Sequence, residues 1–153
     1  MTNDIKIERI TSTACLPQCA EVLVQAYNAE PWNDEWTKEV ALEKLMLYYN
    51  TPKFIGWTAS LKGQILGCCV GNIEPYFSGD YYYLKDMFVL PASQKQGIGL
   101  GFMTTIKAHL ASINVTMIIL FTGQQHFPFN FYQKEGFSEM EGMRMMLCDN
   151  SEL

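Results

Sequence analysis

The chain has 153 residues, 48% of them hydrophobic, a length and composition that suit one domain (1–153) with a sizeable core and exclude a disordered tract. Its net charge of −5, without any basic run, argues against a nucleic-acid partner. No stretch reaches the roughly 18–20 apolar residues of a membrane span, so no membrane partner is expected.

The acidic balance suits a cationic ligand and, equally, plain solubility. Residues 1–20 lack the basic start and apolar run of a secretion signal, which points to the cytoplasm. Cys15, Cys19, Cys68, Cys69 and Cys148 are odd in number and sit among apolar neighbours, so they read as reduced core thiols. The only histidines, His109 and His126, are far apart, which leaves no zinc set and no metal expected.

In chain order, Ile5, Ile7 and Ile10 suggest a strand over residues 3–10. Leu16, Cys19, Ala20, Leu23, Val24 and Tyr27 form one apolar stripe of a helix over 15–26, with Pro17 harmless in its first turn. A loop around Pro31 leads to a helix over 37–48, with Val40, Ala41, Leu45 and Tyr48 inward. Asn50-Thr51-Pro52 ends it.

The period then falls towards two. Strands over 54–61 and 64–73 are joined by Lys62-Gly63, a hairpin connection, and a turn at Ser78-Gly79-Asp80 precedes a strand over 81–90. Ile98, Phe102, Ile106, Leu110 and Ile113 mark a helix over 96–112. A continuously apolar strand over 115–121 should be buried and, reached through a helix, parallel to its predecessor. A short helix over 127–135 ends at Gly136, and 137–148 reads as one or two further strands.

The strand over 81–90 stops at Pro91 and leads into Gln94-Lys95-Gln96-Gly97-Ile98-Gly99, a glycine-rich helix start. Free amides and the helix dipole make such a start an anion site, most naturally for phosphate, although close packing against a sheet also calls for glycines there. The strand itself carries one carboxylate, Asp86, among apolar and aromatic residues. Simple alternation puts Asp86 on one face with Tyr82, Leu84 and Phe88, opposite Lys85 and Met87. Desolvation there would raise its pKa towards that of a useful base; a structural ion pair is the alternative.

Two motifs resemble a known family. Gln94-Lys95-Gln96-Gly97-Ile98-Gly99 is similar to the Gln/Arg-x-x-Gly-x-Gly/Ala motif of the GNAT superfamily of acyl-CoA-dependent N-acetyltransferases. Phe131-Tyr132-Gln133-Lys134-Glu135-Gly136-Phe137 is similar to that family's Phe/Leu-Tyr-x-x-x-Gly-Phe signature, and the resemblance in element order runs from Ile5 to about Leu147. It implies an α/β fold: a mixed, mostly antiparallel sheet with two parallel central strands around an acyl-CoA site, flanked by about four helices. The implied activity is acetyl transfer from acetyl-CoA to a primary amine of a small molecule in a ternary complex. A protein or peptide acceptor, or a non-catalytic acyl-CoA-binding regulatory module, are the alternatives.

By the same resemblance, Gln94, Lys95, Gln96, Gly97, Ile98, Gly99 and Leu100 hold the cofactor pyrophosphate, and the backbone of Met87, Phe88 and Val89 holds the pantetheine arm. Gln125 stands where the family usually has an asparagine. Asp86 matches the general base and Tyr132 the general acid; packing by Phe131, Tyr132 and Phe137 is the structural alternative for the latter. Aromatic and acidic residues between the first two helices, with Glu30, Trp32 and Trp36, suit an amine through cation–π and charged contacts, as does Tyr76 beside Glu74. Trp32 and Trp36 serve equally well to staple the helix entry. The methionine-rich stretch 142–147 suits either a homodimer contact or a core.

Overall fold

The computed structural model describes residues 4–123 and 127–151, which fall into two compact units, 1–121 and 122–153. The first unit contains β1 (Lys6–Arg9), α1 (Leu16–Asn28), α2 (Lys38–Tyr49), β2 (Phe54–Leu61), β3 (Gln64–Glu74), β4 (Tyr81–Val89), α3 (Ile98–Ser112) and β5 (Met117–Ile119). The strands form one sheet in the order β1-β2-β3-β4-β5, antiparallel except for the β4–β5 pair. This is the mixed α/β architecture expected from the sequence. None of the described helices is long and apolar enough to cross a membrane.

Local chemistry sets the element ends. Pro17 lies in the first turn of α1, and the Thr37 hydroxyl accepts from the Val40 amide at 3.2 Å to cap α2. Lys62 and Gly63 take φ of 50° and 80° between β2 and β3, the left-handed pair that a tight hairpin requires.

Two helices cover one face of the sheet. Leu16, Cys19, Ala20 and Leu23 of α1, with Ala41 and Leu45 of α2, form a buried core with Cys68, Val70 and Phe88 of the sheet. The opposite face receives α3: Phe102 comes within van der Waals reach of Gly67, and Trp57 packs edge-on against His109 at 5.8 Å. Cys19, Cys68 and Cys69 are buried free thiols, as expected, and Cys15 is partly buried.

A bulge decides which way β4 points. Val70 pairs with Asp86 and Gly71 with Leu84, so Lys85 is an extra residue on β4. The expected alternation therefore fails at that point. Asp86 and Phe88 face α1 and α2 with Val70 and Cys68, while Tyr82, Leu84, Met87 and Val89 face the other side. One inserted residue reverses the face of everything after it.

Three further expectations change. The last strand of the sheet is three residues long, and Met117 is exposed rather than buried, because β5 pairs on one side only among the described residues. In the second unit, α4 (Phe127–Lys134) ends at Gly136, with φ of 96°, as expected, but 137–148 forms no strand. A strand needs a partner edge, and this stretch pairs with none among the described residues; its backbone makes local bonds instead, the Phe137 amide to the Tyr132 carbonyl at 3.0 Å and the Met143 amide to the Met140 carbonyl at 3.3 Å. Cys148, in that stretch, is exposed rather than a core thiol.

Gly71 sits where β3 passes close to the Tyr82 and Tyr83 segment of β4. A Cβ there would strike the Tyr83 carbonyl oxygen and lie 2.6 Å from the ring and hydroxyl of Tyr82, whose OH donates to the Ile55 carbonyl at 2.8 Å. Backbone cannot give way as a flexible side chain can. Gly71→Ala should cost roughly 1–3 kcal/mol, read as a lowered midpoint in urea against Gly63→Ala, where nothing lies within 4 Å but φ is positive.

Candidate active site

Asp86 is the organising residue of the first unit's α1–α2 face. The Tyr27 hydroxyl, at the C-terminal end of α1, donates to Oδ1 of Asp86. The Tyr27 ring meets Trp32 edge-on at 5.3 Å and Phe88 at 6.0 Å, so aromatic packing holds the donor in place. Burial pushes the Asp86 carboxyl above its ordinary range; the Tyr27 hydroxyl, the Lys44 ammonium and the Met87 amide oppose this without cancelling it. Burial, followed by the charge of Asp86, likewise raises the phenol of Tyr48 on α2.

The loop between α1 and α2 is built around one side chain. Asn28 accepts from the Trp36 amide at 2.8 Å and donates to the Trp36 carbonyl at 3.0 Å, clamping that residue on both sides. The indole NH of Trp36 donates to Asp34 at 3.0 Å. Lys44 lies over this ring, its Nζ 4.9 Å from the Trp36 centroid and 5.7 Å from that of Tyr48. Trp32 and Trp36 thus both approach the Asp86 neighbourhood, one through Tyr27 and the other through Lys44 and Tyr48. Glu30 is exposed on the loop, with no hydrogen bond or ion pair to the others among the described residues.

A second corner lies on the same face of β3 and β4. The Tyr81 hydroxyl donates to Glu74 and holds that carboxyl below its usual range. The exposed Tyr76 meets Tyr81 edge-on at 6.0 Å and Phe77 at a tilt at 4.6 Å. Lys85, the bulged residue, places its ammonium 3.7 Å from the Tyr83 ring centre.

The other edge of β4 is open among the described residues. Pairing with β5 stops after Tyr83 opposite Ile119, and no described strand follows beside residues 85–89. The Leu90 amide donates to Leu66 at 2.8 Å, so alternation directs the backbone groups of Phe88 into the β3 ladder and those of Met87 and Val89 towards the open edge. The Val89 carbonyl accepts from the Gln94 side chain at 3.2 Å, off the ladder. Phe88 differs from its two neighbours here: its ring belongs to the core and its backbone to the ladder.

The chain then runs straight into a helix start. Lys95 and Gly97 take φ of 63° and 81°, and no side chain caps α3. The first helical hydrogen bond beyond that turn runs from the Gly101 amide to the Gly97 carbonyl at 2.9 Å, so the amides of residues 98–100 precede the ladder. A glycine at the left-handed position and uncapped amides make the cradle an anion needs.

Tyr132 belongs to the second unit. Its ring meets Phe131 at 5.2 Å and Phe137 at 5.4 Å, both edge-on, and its carbonyl accepts from the Phe137 amide at 3.0 Å. Gln125 lies outside the described residues.

The model of the acetyltransferase (GNAT) family matches residues 16–137. The chain belongs to that family, and is an N-acetyltransferase. Solved structures agree in fold. An aminoglycoside acetyltransferase, meta-AAC0020, from an uncultured soil metagenomic sample in complex with sisomicin has a TM-score of 0.75 at 18% identity, covering 96% of this chain and 97% of that one. Aminoglycoside N-acetyltransferase AAC(6')-Iy in complex with CoA gives 0.73 at 15%, covering 94% of each chain. A predicted acetyltransferase from Clostridium acetobutylicum with acetyl-CoA gives 0.69 at 16%, covering 94% of this chain and 96% of that one. No curated protein matches in sequence.

The sequence assigned no role beside Asp86 to Tyr27, Lys44 or Tyr48. Tyr27 ends an apolar stripe and Tyr48 reads as an inward helix residue, while Lys44 reads as one of two bases among five acids over 28–44. Because the Tyr27 hydrogen bond favours the charged carboxylate, its loss should move the Asp86 pKa further upward. In a carboxyl-carbon NMR titration, Tyr27→Phe should shift the Asp86 midpoint to higher pH; an unchanged or lowered midpoint contradicts this role for Tyr27.

Proposed function

We propose that this N-acetyltransferase uses acetyl-CoA to acetylate a primary amine of a small molecule, by direct attack within a ternary complex. The observation that carries the reading is the junction in β4. A partly buried, desolvated carboxylate on one face adjoins an unpaired backbone edge that leads into an uncapped helix start.

The residues present fit the cofactor. The backbone of Met87 and Val89 on the open edge would hold the pantetheine arm, and the backbone of residues 94–100 the pyrophosphate. When bound, acetyl-CoA supplies the acetyl group as a thioester with a thiolate leaving group. The acceptor arrives as an ammonium with a pKa near ~10 and must lose a proton before it can attack. Asp86 takes that proton, directly or through water, and its raised pKa makes it a better base than an exposed aspartate. The Val89 amide, facing the open edge, meets charge developing on the acyl oxygen. Tyr132 is assigned the proton for sulfur on its sequence signature.

Two features support the small-amine acceptor. Aromatic side chains with acids, Trp32, Trp36, Tyr76 and Glu74, surround the Asp86 face of the sheet, and fold relatives include aminoglycoside acetyltransferases. A non-catalytic binder would have no use for a desolvated carboxylate at this position.

CoA release, followed with a thiol reagent across a panel of amines, tests the reading; silence with every amine, despite cofactor binding, contradicts it. Asp86→Asn should lower turnover by roughly 10²–10⁴-fold while acetyl-CoA affinity holds. Stability should move the other way. A carboxyl whose pKa is raised on folding adds stability below its ordinary pKa and loses it as pH rises through the folded value. The variant's melting temperature at pH 7 should therefore equal or exceed the parent's.

A further inference from the structure

We propose that Lys44 is a tethered occupant of a cation subsite for the acceptor, and that ligands carrying an additional ammonium group bind by displacing it. The site is an aromatic cage whose walls are Trp36 and Tyr48, next to Asp86. The proposal rests on the acetyltransferase reading for its consequence in catalysis, but the cage itself can be tested without turnover.

The first observation is where the ammonium sits. Lys44 is partly buried, with Nζ 4.9 Å and 5.7 Å from the two ring centres, within the range in which a cation is drawn to an aromatic face. The second is what it declines to do. Acids abound along this segment (Glu35, Glu39 and Glu43), and Lys38 does form an ion pair with Glu21 at 2.8 Å, yet Lys44 makes none among the described residues. A lysine on a solvated helix face would ordinarily reach for those carboxylates or water. This one turns inward.

The third observation is that the Trp36 wall is held by hydrogen bonds of its own. Asn28 fixes the Trp36 backbone through two hydrogen bonds, at 2.8 Å and 3.0 Å, and Asp34 fixes its indole NH at 3.0 Å. Tyr48 follows Lys44 by one helical turn on α2, so ring and ammonium share a helix face. A preformed pair of rings with negative charge close by recognises organic ammonium groups in general. The long flexible lysine stem can withdraw to solvent when a better-placed cation enters.

The acceptor chemistry follows. One amine, neutralised by Asp86, attacks; another, still protonated, replaces the Lys44 ammonium between the rings. Displacement leaves the charge in the cage unchanged, so a polyamine exchanges cation for cation, whereas a neutral acceptor gains nothing there. The rings thereby favour multiply charged amines, while Lys44, as a competitor for the same place, lowers their affinity.

The test uses tetramethylammonium as an inert probe and the indole NH signals of 15N-tryptophan-labelled protein. Trp36→Phe assigns the Trp36 signal, and Trp57, on the α3 face, serves as the internal control. In Lys44→Met, which keeps the apolar stem, the probe should shift the Trp36 signal saturably and with at least about tenfold higher affinity than in the parent, the scale expected of one cation–π site. Lys44→Arg, which keeps a cation in place, should behave like the parent. Equal probe affinity in the parent and in Lys44→Met, or no Trp36 shift in either, overturns the proposal. The acetylation assay separates the two readings. If the probe responds as expected but no amine is acetylated, the cage stands and the catalytic reading falls; if amines are acetylated but the probe ignores Lys44, the reverse holds.

Discussion

The single inserted residue at Lys85 governs this site. Were β4 regular, Asp86 would lie with Tyr82 and Leu84 on the face that receives α3, away from the Tyr27 hydroxyl. The bulge reverses the strand after Leu84, so that Asp86 and Phe88 turn to α1 and α2 while Met87 and Val89 turn the other way. Pairing with β5 has already ended at Tyr83, so the same few residues aim a carboxylate at the helices and present unpaired backbone along the open edge. Bulges next to functional centres commonly re-aim a side chain in this way.

The electrostatics of Asp86 follow from that placement. Taking a carboxylate out of water favours its neutral form, and three groups from three directions resist: Tyr27 from α1, Lys44 from α2 and the Met87 amide from the strand. Loss of solvation outweighs them, so the group binds a proton more tightly than an exposed aspartate. That is costly for folding at neutral pH and useful for abstracting a proton from an amine. The Thr37 cap, the Asn28 clamp and the Tyr27–Trp32 contact are the local means by which the sequence holds the surrounding rings in register.

Much of this was legible in the residues. The glycine-rich run after Pro91, the lone acid in an aromatic strand and the periodicity of the helices placed the sheet, the crossover and the helix start. The facing of Asp86 was not legible, because a bulge is a property of a pair of strands: only the register against Val70 and Gly71 shows that Lys85 is extra. Tyr27 and Lys44 escaped for a related reason. Periodicity marks a tyrosine at the end of an apolar stripe as packing and a lysine on a helix as solvated, and neither pattern knows what lies across the core. The stretch 137–148 erred the other way, since its apolar composition suits a strand but strand formation needs an edge to pair with.

The proposed grip of the backbone around β4 and the start of α3 on the cofactor lies at the open edge, beside the face that carries Asp86. Amide chemical-shift mapping during a titration with coenzyme A addresses this most directly. Saturable shifts concentrated at Met87, Val89 and residues 96–100, with the amides of α1 little changed, are what it predicts. Absence of binding by the folded protein, or shifts confined to other parts of the chain, would contradict it.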